Sequence, residues 1–116
     1  MTPALAALLA LAGPASAQAV PPGFAATYLC AGNAVLQVAY LNPEGAPSLA
    51  VVNWAGKLVP MREGPTGSGV RYIAFDEQES YRWHAKGPEG TLLFLAADHT
   101  AEEQVVLADC REVGAP

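Results

Sequence analysis

From residue 25 onward, apolar residues fall in short runs separated by turn formers. Asn42-Pro43-Glu44-Gly45, Ala55-Gly56, Gly64-Pro65-Thr66-Gly67-Ser68-Gly69, Asp76-Glu77-Gln78 and Gly87-Pro88-Glu89-Gly90 all read as turns or loops. The runs between them are rich in Val, Leu, Tyr, Trp and Phe, the residues that fit a pleated surface. They predict strands over 25–31, 34–41, 47–54, 56–61, 69–75, 79–86, 91–97 and 103–110. In 34–41, Val35, Gln37, Ala39 and Leu41 share one face and Leu36, Val38 and Tyr40 the other. In 79–86, Tyr81, Trp83 and Ala85 alternate with Arg82, His84 and Lys86, the pattern of a half-buried strand. Leu92 to Ala97 is apolar on both faces, as in a central strand. The one helical candidate, Asp98 to Leu107, has too few apolar positions on one face. Short strands at this spacing predict an all-β sandwich or barrel.

The first residues follow another pattern. Ala4 to Ala12 is Ala and Leu only, too short to span a bilayer. Gly13 and Pro14 break it, and Ala15-Ser16-Ala17 fits the small-x-small pattern of a signal cleavage site. The segment before the apolar run has no Lys or Arg. Residues 1–17 are therefore read as a cleavable export signal, and 18–116 as one β-domain. No later apolar run reaches membrane-spanning length, so no membrane span is expected.

Export changes how the cysteines are read. Cys30 and Cys110 are the only two, and in an oxidising compartment a pair reads as one disulfide. Closing a loop of about 80 residues would stabilise the fold by roughly 4 kcal/mol in the chain-entropy model. Their spacing fits no zinc motif, and no metal or other cofactor is expected. In a barrel the pair would tie the first strand to the last. Those strands run antiparallel, yet both cysteines sit late in the predicted strands, so a boundary is displaced or the strands are staggered. The net charge of −5 argues against nucleic acid and anionic membrane and favours a basic partner.

Enzyme signatures are missing. No Gly-rich loop joins a strand to a helix, and Gly67-Ser68-Gly69 opens a strand instead of forming a nucleophile elbow. Asp76, Glu77 and Glu79 read as a solvated hairpin tip, and His84 and His99 lack metal-ligand spacing. No catalytic residue is assigned. If 69–75 and 79–86 form a hairpin, Ser68 at the start of one strand faces Lys86 at the end of the other. A hydroxyl and an ammonium then stand together, opposite the Asp76–Glu79 turn, on loops whose glycines permit close approach to another molecule.

These residues carry a resemblance. Tyr28-Leu29-Cys30, then Thr66-Gly67-Ser68-Gly69-Val70-Arg71-Tyr72, then Lys86-Gly87 and a late Cys110 occur in that order. In this the chain resembles the membrane-bound and periplasmic inhibitors of c-type lysozyme, over nearly the whole domain. Two features depart from the family pattern. The spacer between Tyr72 and Lys86 is a few residues longer, and His84 stands where a Trp is expected, with Trp83 beside it. The departure at His84 bears on how the loop packs.

The resemblance implies an eight-stranded antiparallel barrel, closed here by Cys30–Cys110, and inhibition of c-type lysozyme. Ser68 and Lys86 would enter the lysozyme cleft and meet its catalytic carboxyls, with Gly67, Gly69 and Gly87 shaping the loops. Tyr72 would pack beneath them or touch the partner. Many family members are lipoproteins anchored through a Cys just after the signal. Gln18 holds that position here, so a periplasmic protein without a lipid anchor is expected. The alternative is a small periplasmic barrel that binds an apolar ligand or an envelope partner, a reading that Leu92 to Ala97 favours.

Overall fold

The computed structural model describes residues 22–115. The expected signal, residues 1–17, and its cleavage site lie outside them. The eight strands are β1 (Gly23–Leu29), β2 (Val35–Leu41), β3 (Leu49–Trp54), β4 (Lys57–Gly64), β5 (Val70–Ala74), β6 (Ser80–Lys86), β7 (Glu89–Leu95) and β8 (Gln104–Glu112). They pair in chain order, all antiparallel, into a closed barrel. This is the architecture the resemblance implies. Closure where β1 meets β8 leaves only short stretches of sheet edge unpaired. Among the described residues no helix is long and apolar enough to cross a membrane.

Turn chemistry sets the hairpins. Ala55 and Gly56 both have positive φ, 51° and 78°, which is the two-residue turn whose twist matches the flanking strands. Gly87 takes φ 58° in the turn that sets Lys86 opposite Glu89. Connections 42–48, 65–69 and 87–88 lie at one end of the barrel, called here the mouth. Connections 30–34, 55–56, 75–79 and 96–103 lie at the other end.

The disulfide resolves the stagger. β1 and β8 pair only through Tyr28↔Glu112 and Leu29↔Arg111, so the C-terminal ends of the two strands overlap and the rest diverges. Cys30, one residue past β1, then meets Cys110, and the two are bonded. β8 runs two residues beyond Cys110 instead of ending there, and β4 runs to Gly64 instead of residue 61.

The inward face of each strand is the face that alternation selects. Leu36, Val38 and Tyr40 are buried, and Val35, Gln37 and Leu41 are exposed. Leu36, Met61, Trp83 and Leu92 are wholly buried and fill the barrel between the mouth and the far end. This filling argues against an apolar ligand enclosed within the barrel. The indole of Trp83 needs the bare backbone of Gly90, where a Cβ would stand 2.3 Å from its ring. Trp83 Nε1 donates to Tyr40 Oη at 2.8 Å, and Tyr40 and Tyr28 hydroxyls bond each other at 2.6 Å. Buried polar atoms are thereby satisfied.

Burial pushes the Tyr28, Tyr40 and Tyr72 phenols above their ordinary range. In the unfolded chain they ionise near pH 10, before they do in the fold. Stability is then complete below about pH 10 and falls as pH rises above it. The urea midpoint should be clearly lower at about pH 11 than at about pH 8. An equal or higher midpoint at the alkaline pH would show that these rings are not held neutral by the fold.

Candidate functional site

β5 and β6 form the expected hairpin, with Val70↔Ala85, Arg71↔His84, Tyr72↔Trp83 and Ile73↔Arg82. Carried one step further, this register sets Gly69 against Lys86, and Ser68 one residue beyond. Ser68 and Lys86 thus share the mouth, one residue out of direct opposition.

Gly69 is what lets the two loops close on each other. It takes φ 68°, and a Cβ there would stand 2.4 Å from the Ala85 carbonyl oxygen and 3.2 Å from Lys86 Cβ. Neither the backbone conformation nor the space admits a side chain. Gly67 differs: nothing lies within 4 Å of a Cβ built on it. The Ser68 carbonyl accepts from Thr66 Oγ1 at 3.1 Å and from His84 Nε2 at 2.8 Å. A carbonyl only accepts, so His84 carries its proton on Nε2. His84 therefore anchors the loop, and that nitrogen is not a base for the Ser68 hydroxyl.

The charges sort cleanly. The chain has six Lys and Arg residues, all among the described positions. Lys57 Nζ pairs with Glu79 at 2.8 Å, and Arg111 with Glu89 at 3.3 Å. Arg71 and Arg82 share Glu103, Arg82 at 2.6 Å, which fastens the connection before β8 to β5 and β6. Arg62 lies 5.9 Å from the centre of the Phe75 ring. Among the described residues only Lys86 has neither an acid nor a ring as partner, and it is exposed at the end of β6, just before the two-residue turn. The exposed Ser68 hydroxyl is free as well. Arg71 is thereby engaged in a structural ion pair.

Tyr72 is 5% exposed, so it lies inside the barrel rather than on its surface. It helps floor an open cup of about 310 Å³ at the mouth, lined also by Phe24, Tyr28, Tyr40, Glu63 and Glu112. The two glutamates are missing from the residues that the sequence singles out. At the far end, Asp76 accepts from the Gln78 amide at 2.9 Å and Glu79 from Lys57, the solvated turn expected there. Among the described residues no cluster of His, Cys, Asp or Glu could hold a metal.

The family model of the membrane-bound lysozyme-inhibitor of c-type lysozyme matches residues 28–101. The chain belongs to this family. The matched span opens at Tyr28 and includes both Ser68 and Lys86. Among solved structures, the periplasmic lysozyme inhibitor of C-type lysozyme from Salmonella typhimurium superposes with a TM-score of 0.68 at 25% identity, covering 80% of this chain and 100% of that one. The Adhesin Complex Protein from Neisseria meningitidis superposes with a TM-score of 0.50 at 19% identity, covering 81% and 99%, a likeness of fold alone. No curated protein sequence matches the chain.

Proposed function

We propose that this protein is a periplasmic, non-enzymatic inhibitor of c-type lysozyme that acts by inserting the Ser68 and Lys86 loops into the catalytic cleft. Family membership supports inhibition in general. The observation that carries the mechanism is the Lys86 ammonium, unpartnered among the described residues, at the same mouth as a free Ser68 hydroxyl on a loop fixed by Gly69 and His84.

Lysozyme cleaves with two carboxyls, one a general acid and one ionised. The Lys86 ammonium would pair with the ionised one, and the Ser68 hydroxyl would hydrogen-bond the other. Charge-assisted bonds that are desolvated inside a cleft are the strong kind. Occupying both carboxyls excludes the polysaccharide, so inhibition is competitive. C-type lysozymes are usually basic, and a chain of net charge −5 is steered toward them. A cleaved signal, with Gln18 rather than Cys just after it, would release the domain into the periplasm without a lipid anchor.

The test is a cell-wall lysis assay with purified 18–116. Inhibition at roughly micromolar concentration is expected, and full lysozyme activity there would overturn the reading. A second substitution tests the loop's support. His84→Ala removes the bond to the Ser68 carbonyl and leaves the loop to be ordered on binding. Inhibition should weaken about three- to tenfold, from roughly 1 kcal/mol of ordering cost, with the urea midpoint nearly unchanged. Equal inhibition by both forms would show that the loop needs no anchor.

A further inference from the structure

The cup at the mouth inverts the pattern of the rest of the barrel. Along β4 the inward positions run Val59, Met61, Glu63, with the first two buried. Along the end of β8 they run Cys110, Glu112. At the last inward turn of each strand an acid replaces the apolar residue. Glu63 is exposed and Glu112 half-buried, so the two carboxylates form an acidic rim over the aromatic floor of the open cup.

Among the described residues nothing answers them with opposite charge. No Lys or Arg lines the cup, and neither Glu63 nor Glu112 has an ion pair among the described residues. Glu63 Oε1 accepts only the Ser48 amide, at 3.1 Å. The negative charge of Glu112 reaches the Tyr28 phenol and that of Glu63 the Tyr72 phenol, each adding to burial in pushing those phenols up. The walls are aromatic: Phe24 and Tyr40 lie 5.1 Å apart by ring centre, Tyr40 and Tyr72 5.8 Å. Aromatic faces attract cations, and a planar guanidinium both stacks on rings and bonds carboxylates through a two-pronged fork.

We infer that the cup is a second binding subsite, one that takes an arginine side chain of the partner while the neighbouring loops occupy its cleft. The identity of the partner rests on the inhibitor reading; the chemistry of the cup does not. Position links the two. Glu63 and Val70 flank the connection that bears Ser68, and Ala85 and Gly87 flank Lys86, and all four line the cup. One approach by a basic protein would therefore meet a cation donor in Lys86 and a cation acceptor beside it. This also gives the acidic chain a local reason, besides its net charge, to prefer a basic partner.

Two arms separate the cup from the lysozyme reading. In the first, N-acetyl-arginine methylamide and its neutral isostere N-acetyl-citrulline methylamide are titrated into the protein while ring resonances of Tyr28, Tyr40 and Tyr72 are followed by NMR. The arginine probe should shift them with a dissociation constant of roughly 1–10 mM, and the doubly substituted Glu63→Gln/Glu112→Gln protein should bind it at least about tenfold more weakly. Gln keeps the size of Glu and still accepts the Ser48 amide, so the thermal midpoint should hold. No shift with wild-type protein, equal shifts with citrulline, or tighter binding of cyclohexanol than of arginine would each overturn the subsite. In the second arm the same double substitution should raise the inhibition constant for c-type lysozyme about tenfold and flatten its dependence on salt. An unchanged constant with intact probe binding would overturn the partner assignment. Absent inhibition by the wild type would sink the inhibitor reading instead, with the first arm still deciding the cup.

Discussion

Lys86→Ala should abolish most of the inhibition and leave the fold untouched. Truncating one member of a desolvated charge pair costs about 2–5 kcal/mol, because the partner's charge stays buried and unanswered. At about 1.4 kcal/mol per tenfold, the inhibition constant should rise by roughly two orders of magnitude or more. Stability has no reason to follow. Lys86 is exposed and makes no ion pair or hydrogen bond among the described residues, and surface changes of that kind stay within about 0.5 kcal/mol. Ser68→Ala removes a neutral donor and should cost about tenfold. Lys86→Arg should recover only part of the loss, since a planar fork replaces a compact point charge in a site built for the latter. The measurements are inhibition constants in the lysis assay beside urea midpoints of the same proteins. A Lys86→Ala protein that inhibits like the wild type would refute loop insertion and spare the inhibitor reading.

What the sequence makes legible is local. Turn formers and alternation locate all eight strands and the hairpin that brings the Ser68 and Lys86 loops together. Two of the boundary errors have a larger consequence than their size suggests. A reading that ends β4 at residue 61 and β8 at residue 110 stops three residues short in the first and two in the second, and the omitted residues carry Glu63 and Glu112 to the inward face. An acid at a strand end looks like the start of a polar loop; only the pairing of Glu63 with Tyr72, and of Glu112 with Tyr28, shows that the strand continues. The stagger of β1 against β8 is likewise a property of barrel closure, which no local pattern encodes. His84 shows the opposite case. Its departure from the family pattern is visible in the sequence, but its bond to the Ser68 carbonyl follows from the way Gly69 bends the loop back over β6.

The same strand that presents Lys86 is pinned three residues earlier, and that pin carries the largest expected effect on stability. Trp83 is 0% exposed, meets Tyr28 edge-on at 4.9 Å between ring centres, and donates to Tyr40. Trp83→Ala removes the largest wholly buried side chain and should cost about 3–5 kcal/mol, in a domain whose whole stability is on the order of 5–15 kcal/mol. Its urea midpoint, read by circular dichroism, should fall by a third or more. Trp83→Phe keeps a ring and should cost less, about 1–2 kcal/mol, from the lost bond to Tyr40 and the lost volume. Gly90→Ala makes the argument specific. Its new methyl would collide with Trp83 Cη2 and Cζ2 at 2.3 and 2.4 Å, and overpacking of this kind costs about 1–3 kcal/mol. Those atoms belong to the part of the indole that a phenyl ring does not reach. Combined with Trp83→Phe, the Gly90→Ala change should therefore cost about 1 kcal/mol less than it does alone, a coupling a double-mutant cycle reads directly. Additive costs would mean that the ring and Gly90 do not compete for the same space. Where the coupling holds, the Trp83→Phe protein should also inhibit more weakly despite an intact Lys86, since β6 holds Lys86 at the mouth only as firmly as Trp83 holds β6.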